Sequence, residues 1–327
     1  MWNIVQCAVQ GRGHIKTETP CQDKTFSLEK NGVIVISLAD GAGSAKLSHY
    51  GAETITRFVC EDLTENFDDY YLTDDGAVVK KELTSKIILK LNDLSSELNC
   101  EIKELASTLM FVAVKEKQFI IAHIGDGVVG YLKNDELKIA SQPENGEFAN
   151  TTVFTTSEDA LTTMKLIKGE IGNVCGFVLM SDGAENSLYS KRENKLADVL
   201  KQIMQLCKVV SIEKLEEQLL DSFETTIKQA TNDDCSIVLM VENDLFVGFN
   251  SVSAYEKKTL LKNRKLSKKQ IKRYTQILNE LSESRSLDYI SRKIHLKPRF
   301  AKKHLQRLIE LDFVEQTANG YTTILIL

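Results

Sequence analysis

The chain of 327 residues has no apolar run approaching the ~20 residues that cross a bilayer, so no transmembrane helix is expected. Its first stretch, "MWNIVQCAVQGRG", has no basic segment leading into a long apolar core, and no secretory leader is expected. The seven cysteines (Cys7, Cys21, Cys60, Cys100, Cys175, Cys207, Cys235) are scattered, with no CxxC pair. That pattern excludes a disulfide frame and a thiolate zinc site, and it fits free thiols in a reducing cytoplasm. Only three prolines occur, and no low-complexity segment or internal repeat is evident.

What is present is the composition of a globular protein: 43% apolar and 27% charged residues. The length allows one large domain with a small one, or two of middle size. The net charge of −5 conceals a division. Residues 255–327 carry 17 Lys and Arg against 7 Asp and Glu, a net +10, whereas residues 1–254 carry the other 24 and 39, a net −15. Such asymmetry points to two modules with different partners.

The acidic part reads as strand-rich. "WNIVQCAVQ", "VIVISLA", "TLMFVAVK", "QFIIAHIG", "TVFTT", "GFVLMS" and "CSIVLMVE" are short apolar or β-branched runs bounded by turn residues. Between the second and third, Leu83, Ile87, Leu91, Leu94 and Leu98 recur at spacings of three and four, one face of a helix. A second helical block is expected over about 187–230, with Leu215, Leu219 and Phe223 on its apolar side. An α+β fold follows, with a double antiparallel sheet flanked by helices as the architecture that fits.

Several of these apolar runs begin or end at a carboxylate with a small neighbour. "VISLADGAGSAKLSHYGAE" ends a strand in Asp40 and follows it with Gly41 and Gly43. "IIAHIGDGVVG" sets Asp126 between two glycines, "FVLMSDGAEN" sets Asp182 before Gly183, "TNDDCSIVLMV" sets Asp233 and Asp234 before the last strand, and "TPCQDKTFSL" sets Asp23 before an early one. Each Asp-Gly alone is a turn signal more often than a ligand. Repeated at strand ends, however, the carboxylates can converge on one rim of a sheet, where they repel unless neutralised. Hard divalent ions such as Mg²⁺ or Mn²⁺ take oxygen ligands of this kind.

The ordered set "QD … ADGAGS … ST … IGDG … GEFANTT … MSDGAE … DDCS" resembles the metal-dependent protein phosphatase family, the protein phosphatase 2C-like enzymes, and in particular its compact bacterial branch. The resemblance covers about residues 1–245. It implies a four-layer α-β-β-α sandwich that hydrolyses phosphoserine and phosphothreonine with two Mn²⁺ or Mg²⁺ ions. A further, weaker ion is implied near Asp126. By the same resemblance Asp40 bridges the ions, with the Gly41 carbonyl on one of them. Asp182 and Asp233 serve the other ion, and Asp23 acts through water. The attack is by metal-activated water, without a phosphoenzyme.

The chain departs from that pattern at three places. The family's Glu-Asp pair is Gln22-Asp23, its phosphate-gripping Arg position holds Glu18, and Ala42 stands where some members carry a His. Arg12 or His14, with Lys16 behind them, are the candidates for gripping phosphate. His49 reads as a surface residue and His123 as a core one. "GEFANTTVF" resembles the segment beside the active site, where Asn150 and Thr151 would meet substrate.

From about 246 the texture changes to a basic linker, 246–266, and then three helical patterns and a hairpin around "ANG" over 267–327. Ser267 and Ser286 are expected N-caps, and Pro298 suits a first helical turn. This module resembles a winged helix-turn-helix, with Arg299, Lys302, Lys303 and Arg307 on its third helix placed to contact nucleic acid or a protein partner. The function expected is a cytoplasmic phosphatase of phosphorylated proteins, set against a serine/threonine kinase and targeted by its tail. The alternative is a phosphatase-like sensor or pseudoenzyme acting through the basic module on DNA or protein. A small-molecule phosphatase is a third option.

Overall fold

The computed structural model describes residues 2–143, 152–243 and 248–327. The chain divides into two compact units. The first holds residues 2–200 and 216–242; the second holds residues 201–215 and 243–327.

The larger unit opens with β1 (Trp2–Val9), α1 (Arg12–Thr17), β2 (Lys24–Lys30) and β3 (Val33–Ala39). Two long helices follow, α2 (Ser48–Leu72) and α3 (Gly76–Leu98). Next come β4 (Leu109–Lys115), β5 (Gln118–Ile124), β6 (Val128–Lys133), β7 (Glu136–Ser141), the single turn α4 (Ala160–Thr163), β8 (Lys165–Glu170) and β9 (Val174–Met180). Then come α5 (Asp182–Leu188), the small hairpin β10 (Tyr189–Ser190) and β11 (Lys195–Leu196), α6 (Asp198–Leu206) and α7 (Ile212–Thr225), of which residues 201–215 belong to the second unit, and β12 (Cys235–Glu242).

The strands form two five-stranded antiparallel sheets, in the orders β1-β12-β9-β6-β7 and β2-β3-β4-β5-β8. β3 is buried throughout and apolar but for Ser37, whose hydroxyl donates to the Thr56 carbonyl, because both of its faces are covered, which erases the usual alternation. Ile34, Ile36 and Leu38 pack with Val129, Phe177, Leu179, Val238 and Met240 of the other sheet. Val33, Val35 and Ala39 pack with Ile55, Val59, Leu63, Leu83 and Ile87 of α2 and α3. Truncating one of the buried leucines or isoleucines, or Met240, to Ala costs about 2–5 kcal/mol.

Most of the expected runs are strands, and Leu83, Ile87, Leu91, Leu215, Leu219 and Phe223 are buried as their spacing predicts, whereas Leu94 is only partly buried and Leu98, at the end of α3, is 37% exposed. "TVFTT" is different. It forms no strand: Thr152 makes a single bridge, Val153 and Phe154 are irregular, and 155–156 turn, with the Thr155 amide donating to the Ser107 carbonyl and the Ser157 amide to that of Phe154. β8 was hidden by its two lysines and two polar-flanked apolar residues; it is a sheet edge, where charge discourages further pairing. The helical block expected from 187 begins with the β10–β11 hairpin and is helical only from Asp198.

The second unit holds residues 201–215 together with α8 (Gly248–Ser251), α9 (Ala254–Leu260), α10 (Lys268–Glu280), α11 (Leu287–Lys293), α12 (Pro298–Ile309), β13 (Val314–Thr317) and β14 (Gly320–Thr323). Helices occupy much of the stretch expected as linker; the Ser253–Glu256 capping box starts α9. Ser267 and Ser286 cap α10 and α11 as expected, and Pro298 opens α12. Ile271, Ile277, Leu278, Leu281, Ile290, Ala301, Leu305, Leu308 and Phe313 are buried in this unit. The chain's last residues are knitted in: Ile326 donates its amide to the Val209 carbonyl at 2.7 Å and accepts from Phe249 at 2.6 Å. Among the described residues no helix is long and apolar enough to cross a membrane.

Candidate active site

Strand register brings the acidic residues to one rim. Lys24 pairs with Ala39, so continuing the β2–β3 ladder by one step sets Asp23 opposite Asp40. Val128 pairs with Met180, and two steps further Asp126 lies opposite Asp182. Cys235 pairs with Val9, and the main chain of Ser181 meets that of Ser236, which carries Asp233 to the same end beside Asp182. Five carboxylates far apart in sequence thus share the end of a double sheet.

Glycines let the backbone close there. A Cβ on Gly41 would lie 2.7 Å from the Ser48 hydroxyl and 3.0 Å from the Gln22 Cβ. Gly125 has φ +113°, and a Cβ there would lie 2.5 Å from Thr108. Thr108 in turn accepts from the Asp40 amide at 2.9 Å and donates its own amide to the Asp40 carbonyl at 2.8 Å, fixing the end of β3.

The carboxylates are held against their own repulsion. Burial, then the charge of Asp23, Asp182, Asp233 and Asp126, holds the Asp40 carboxyl well above the usual range. Burial pushes Asp23 up to about 7, against the nearby Ser236 and Ser181 hydroxyls, which lower it. Burial, then Asp126 and Asp233, raise Asp182 to about 6, offset in part by Asp40 and the Gly183 amide. Both Asp23 oxygens and Oδ1 of Asp182 are buried without a partner in hydrogen-bonding geometry. Asp126 differs, its Oδ2 accepting from Thr152 at 2.5 Å.

This donor set is all oxygen, runs from the buried Asp23 through the half-buried Asp40, Asp126 and Asp182 to the exposed Asp233, leaves the oxygens of Asp23 and Oδ1 of Asp182 unpartnered, and in its chemistry fits a hard divalent cation. Among the described residues no three His, Cys, Asp or Glu side chains are closed to chelating distance of one another. The carboxylates share a rim and a field, and stand apart within it.

Residues 10–223 match the family described as Protein phosphatase 2C. The chain belongs to the protein phosphatase 2C family. Over 170 residues it is 26% identical to Serine/threonine-protein phosphatase 3 of Escherichia coli (strain K12), a match spanning 50% of this chain and 66% of that relative, just under two thirds of its length. Among solved structures, a bacterial serine phosphatase superposes with a TM-score of 0.54 at 14% identity, over 75% of this chain and all of that one. The serine/threonine phosphatase Stp1 from Staphylococcus aureus gives 0.51 at 14% identity, over 74% and 96%. At that identity the two likenesses establish the fold. Protein phosphatase 2C enzymes generally depend on Mn²⁺ or Mg²⁺.

Against the family pattern, Gln22 is a buried amide tied into the loop after Asp40. Its Nε2 donates to the Ser48 hydroxyl at 2.5 Å and lies 3.3 and 3.4 Å from the Ala45 and Ala42 carbonyls. Arg12 donates from Nε to the Thr231 carbonyl at 3.1 Å, and His14 Nδ1 stands 2.9 Å from Oδ1 of Asp234. His49 is partly buried beside Tyr50, and His123 is core, with Nδ1 2.7 Å from the Ser141 hydroxyl. Asn150 and Thr151 lie outside the described residues.

Two buried carboxylates near the rim have partners that the sequence does not announce. Asp234 is 1% exposed and accepts the amides of Gly11 and Gln22, each at 2.6 Å. Its signal was the doublet with Asp233, which reads as one ligand and a spare. Glu185 lies one turn after Asp182 on α5, is 3% exposed, and reaches Lys191 at 3.1 Å. Lys191 comes from the β10–β11 turn, and no spacing rule links it to Glu185.

Proposed function

We propose that this protein is a Mn²⁺- or Mg²⁺-dependent phosphatase of phosphoserine and phosphothreonine in proteins, built on a four-layer α-β-β-α sandwich over about residues 1–245. The observation that carries this reading is the set of buried, unpartnered carboxylate oxygens of Asp23 and Asp182 on one rim with Asp40, Asp126 and Asp233. Asp40, with the Gly41 carbonyl, Asp182 and Asp233 are the residues that would hold two ions, with Asp23 behind them and Asp126 toward a third. When bound, such ions polarise a phosphoryl oxygen and lower the pKa of water to make a nucleophile at neutral pH. The protein's own part is to fix these carboxylates on rigid strand ends and to keep their counter-charge from other cations. Arg12 is the candidate for the substrate phosphate, since its Nε bond to Thr231 orients the guanidinium. His14 is the second, though its contact with Asp234 engages one ring nitrogen.

The reading extends to a winged-helix module over 267–327 that targets or regulates the enzyme, to a serine/threonine kinase as its antagonist, and to a cytoplasmic site. What supports the module is the order of α10, α11, α12 and the β13–β14 hairpin with its basic third helix. A second reading, a phosphatase-like sensor, draws on the neutral Gln22, whose amide is consumed in holding the loop. One experiment separates them. Hydrolysis of p-nitrophenyl phosphate and a phosphothreonine peptide is followed with Mn²⁺, Mg²⁺ or EDTA, for wild type, Asp40→Asn and Asp182→Asn. Metal-dependent turnover lost in both variants supports the phosphatase; an inert wild type that still binds Mn²⁺ by calorimetry supports the sensor.

A further inference from the structure

We propose that the β10–β11 turn is a specificity surface, on which Lys191 and Arg192 select phosphorylated segments that carry Asp or Glu beside the phosphoresidue. The inference rests on the phosphatase reading above for its substrate and adds which protein segments the rim accepts. Lys191 is not held as an ordinary surface lysine is. Its side chain is 70% exposed, yet its partner at 3.1 Å is Oε2 of Glu185, which is buried. Lys103, by contrast, pairs with Glu101 where both side chains lie in water. Burying a carboxylate costs desolvation that a solvated pair avoids. Here that cost fixes one ammonium in place. The other oxygen, Oε1, is buried without a hydrogen-bond partner, so Lys191 supplies the counter-charge.

The pair lies beside the rim. Glu185 follows Asp182 by one turn of α5. Burial raises the Glu185 carboxyl, Lys191 lowers it, and the charge of Asp126 raises it again, so Glu185 is within the field of the rim. The turn that carries Lys191 is fastened on several sides. The Tyr189 hydroxyl donates to Oδ1 of Asn194 at 2.8 Å, and the Glu193 amide donates to the Ser190 hydroxyl at 3.3 Å. Below it, the Ala197 amide donates to the Leu188 carbonyl at 2.8 Å, and Leu196 is buried against Gly130 of β6. Lys191 and Arg192 are thus exposed on a fixed frame.

Charge selects the partner. The rim carboxylates repel any acidic side chain that arrives with the phosphoresidue. From Ser190 to Leu196 the chain has three cations and one carboxylate, which offsets that repulsion on the Asp126 side. Lys195 stands 3.8 Å from Asp198, so Lys191 and Arg192 are the cations the turn presents. Three residues of helix advance about 4.5 Å and one residue of extended peptide about 3.3 Å. One turn of α5 beyond Asp182 is therefore the distance of a residue flanking the phosphoresidue. Charges placed at the edge of a binding site act chiefly on the choice of partner.

The test uses the full chain with Mn²⁺ and two fluorescein-labelled phosphothreonine peptides, one with Glu and one with Lys on both sides of the phosphoresidue. The ratio of their kcat/KM values is read at 50 and 200 mM KCl, and anisotropy gives the ratio of their Kd values. An exposed ion pair contributes up to about fivefold, so the wild type should favour the Glu peptide by about fivefold at 50 mM KCl. Screening should shrink that preference at 200 mM KCl. Lys191→Ala/Arg192→Ala should bring it below about twofold, and Lys191→Arg should keep it. Arg192→Glu leaves the Glu185 pair intact and should lower it as well, which serves if the double variant fails to fold. Lys81→Ala/Lys90→Ala, exposed on α3, should keep the wild-type ratio. The proposal is overturned by a wild type with no preference, or by the same drop in the α3 variant. A loss equal for both peptides in the turn variants also overturns it, since it assigns the turn to the phosphate or to the fold. A wild type that binds the peptides but turns over neither strikes the phosphatase reading alone, and the Kd ratio then decides this one. A wild type that binds neither peptide overturns this proposal.

Discussion

Gly11 and Asp234 are 223 residues apart, yet the Gly11 amide donates to Oδ1 of Asp234 at 2.6 Å while the Gln22 amide takes the other oxygen at the same distance. Asp234 thereby pins the end of β1 and the approach to β2 against the start of β12. A Cβ on Gly11 would fall 2.3 Å from the Asp233 carbonyl carbon, so the join admits no side chain. Asp234→Ala leaves two buried amides without acceptors, at about 1–3 kcal/mol each. We expect it to lose several kcal/mol of stability in urea titrations with EDTA present. Asp233→Asn should keep its metal-free stability and lose Mn²⁺ affinity instead. Equal destabilisation by both substitutions would dissolve the distinction between anchor and ligand.

The rim carboxylates set a second expectation, for metal-free protein. Asp23 and Asp182 are raised to about 7 and about 6 from an ordinary value of 3.8, and Asp40 is raised as well. The folded state therefore binds more protons than the unfolded one across this window, and stability falls as pH rises from about 4 through about 7. In EDTA the melting temperature should drop between pH 5.5 and pH 7.5. Millimolar Mn²⁺ should restore it at pH 7.5 far more than at pH 5.5. Asp40→Asn, which removes one of the repelling charges, should flatten the metal-free slope.

His123 acts in the opposite direction. Burial, aided by Lys165, lowers its pKa from 6.5 to about 3, so the folded chain keeps it neutral. Its contribution is intact above about pH 6.5 and is lost progressively as pH falls toward 3. His123→Gln keeps a polar partner for the Ser141 hydroxyl without the titration. Acid unfolding of that variant should begin at a lower pH relative to its own neutral stability, as followed by circular dichroism.

The rim was legible because strand ends are marked by abrupt changes in residue type: an apolar run, an Asp, a Gly. β3 ending at Asp40 and β9 ending before Asp182 are both visible in that way. What held the rim together was not legible. Thr108 and Gln22 stand in the motif pairs "ST" and "QD", but what they bind, Asp40 and Ser48, follows only from register and loop closure. β8 was missed for a related reason: an edge strand with one covered face keeps lysines that a central strand would exclude. The capped helices of the second unit were readable from local chemistry alone, since Ser267, Ser286 and Pro298 act on their immediate neighbours. That residues 201–215 belong with that unit depends on long-range pairing such as Val210 with Leu325, which no local pattern announces.

Gln22 offers the sharpest test of how the departure from the family is accommodated. Restoring an acidic residue with Gln22→Glu removes the only donor that the side chain offers to Ser48, Ala42 and Ala45, and turns a carboxylate toward two carbonyl oxygens. The position is 2% exposed, so the new charge has no water to face and sits next to Asp23, itself raised by burial. The variant should therefore be less stable than wild type in EDTA, and the deficit should grow from pH 5.5 to pH 7.5 as the glutamate ionises. Its Mn²⁺ affinity by calorimetry should stay within about twofold of wild type, because the side chain is directed into the Ala42–Ser48 loop. A tenfold gain in affinity with recovered stability would mean that the loop yields and the glutamate reaches the ions, making Gln22 the residue that tunes this centre downward.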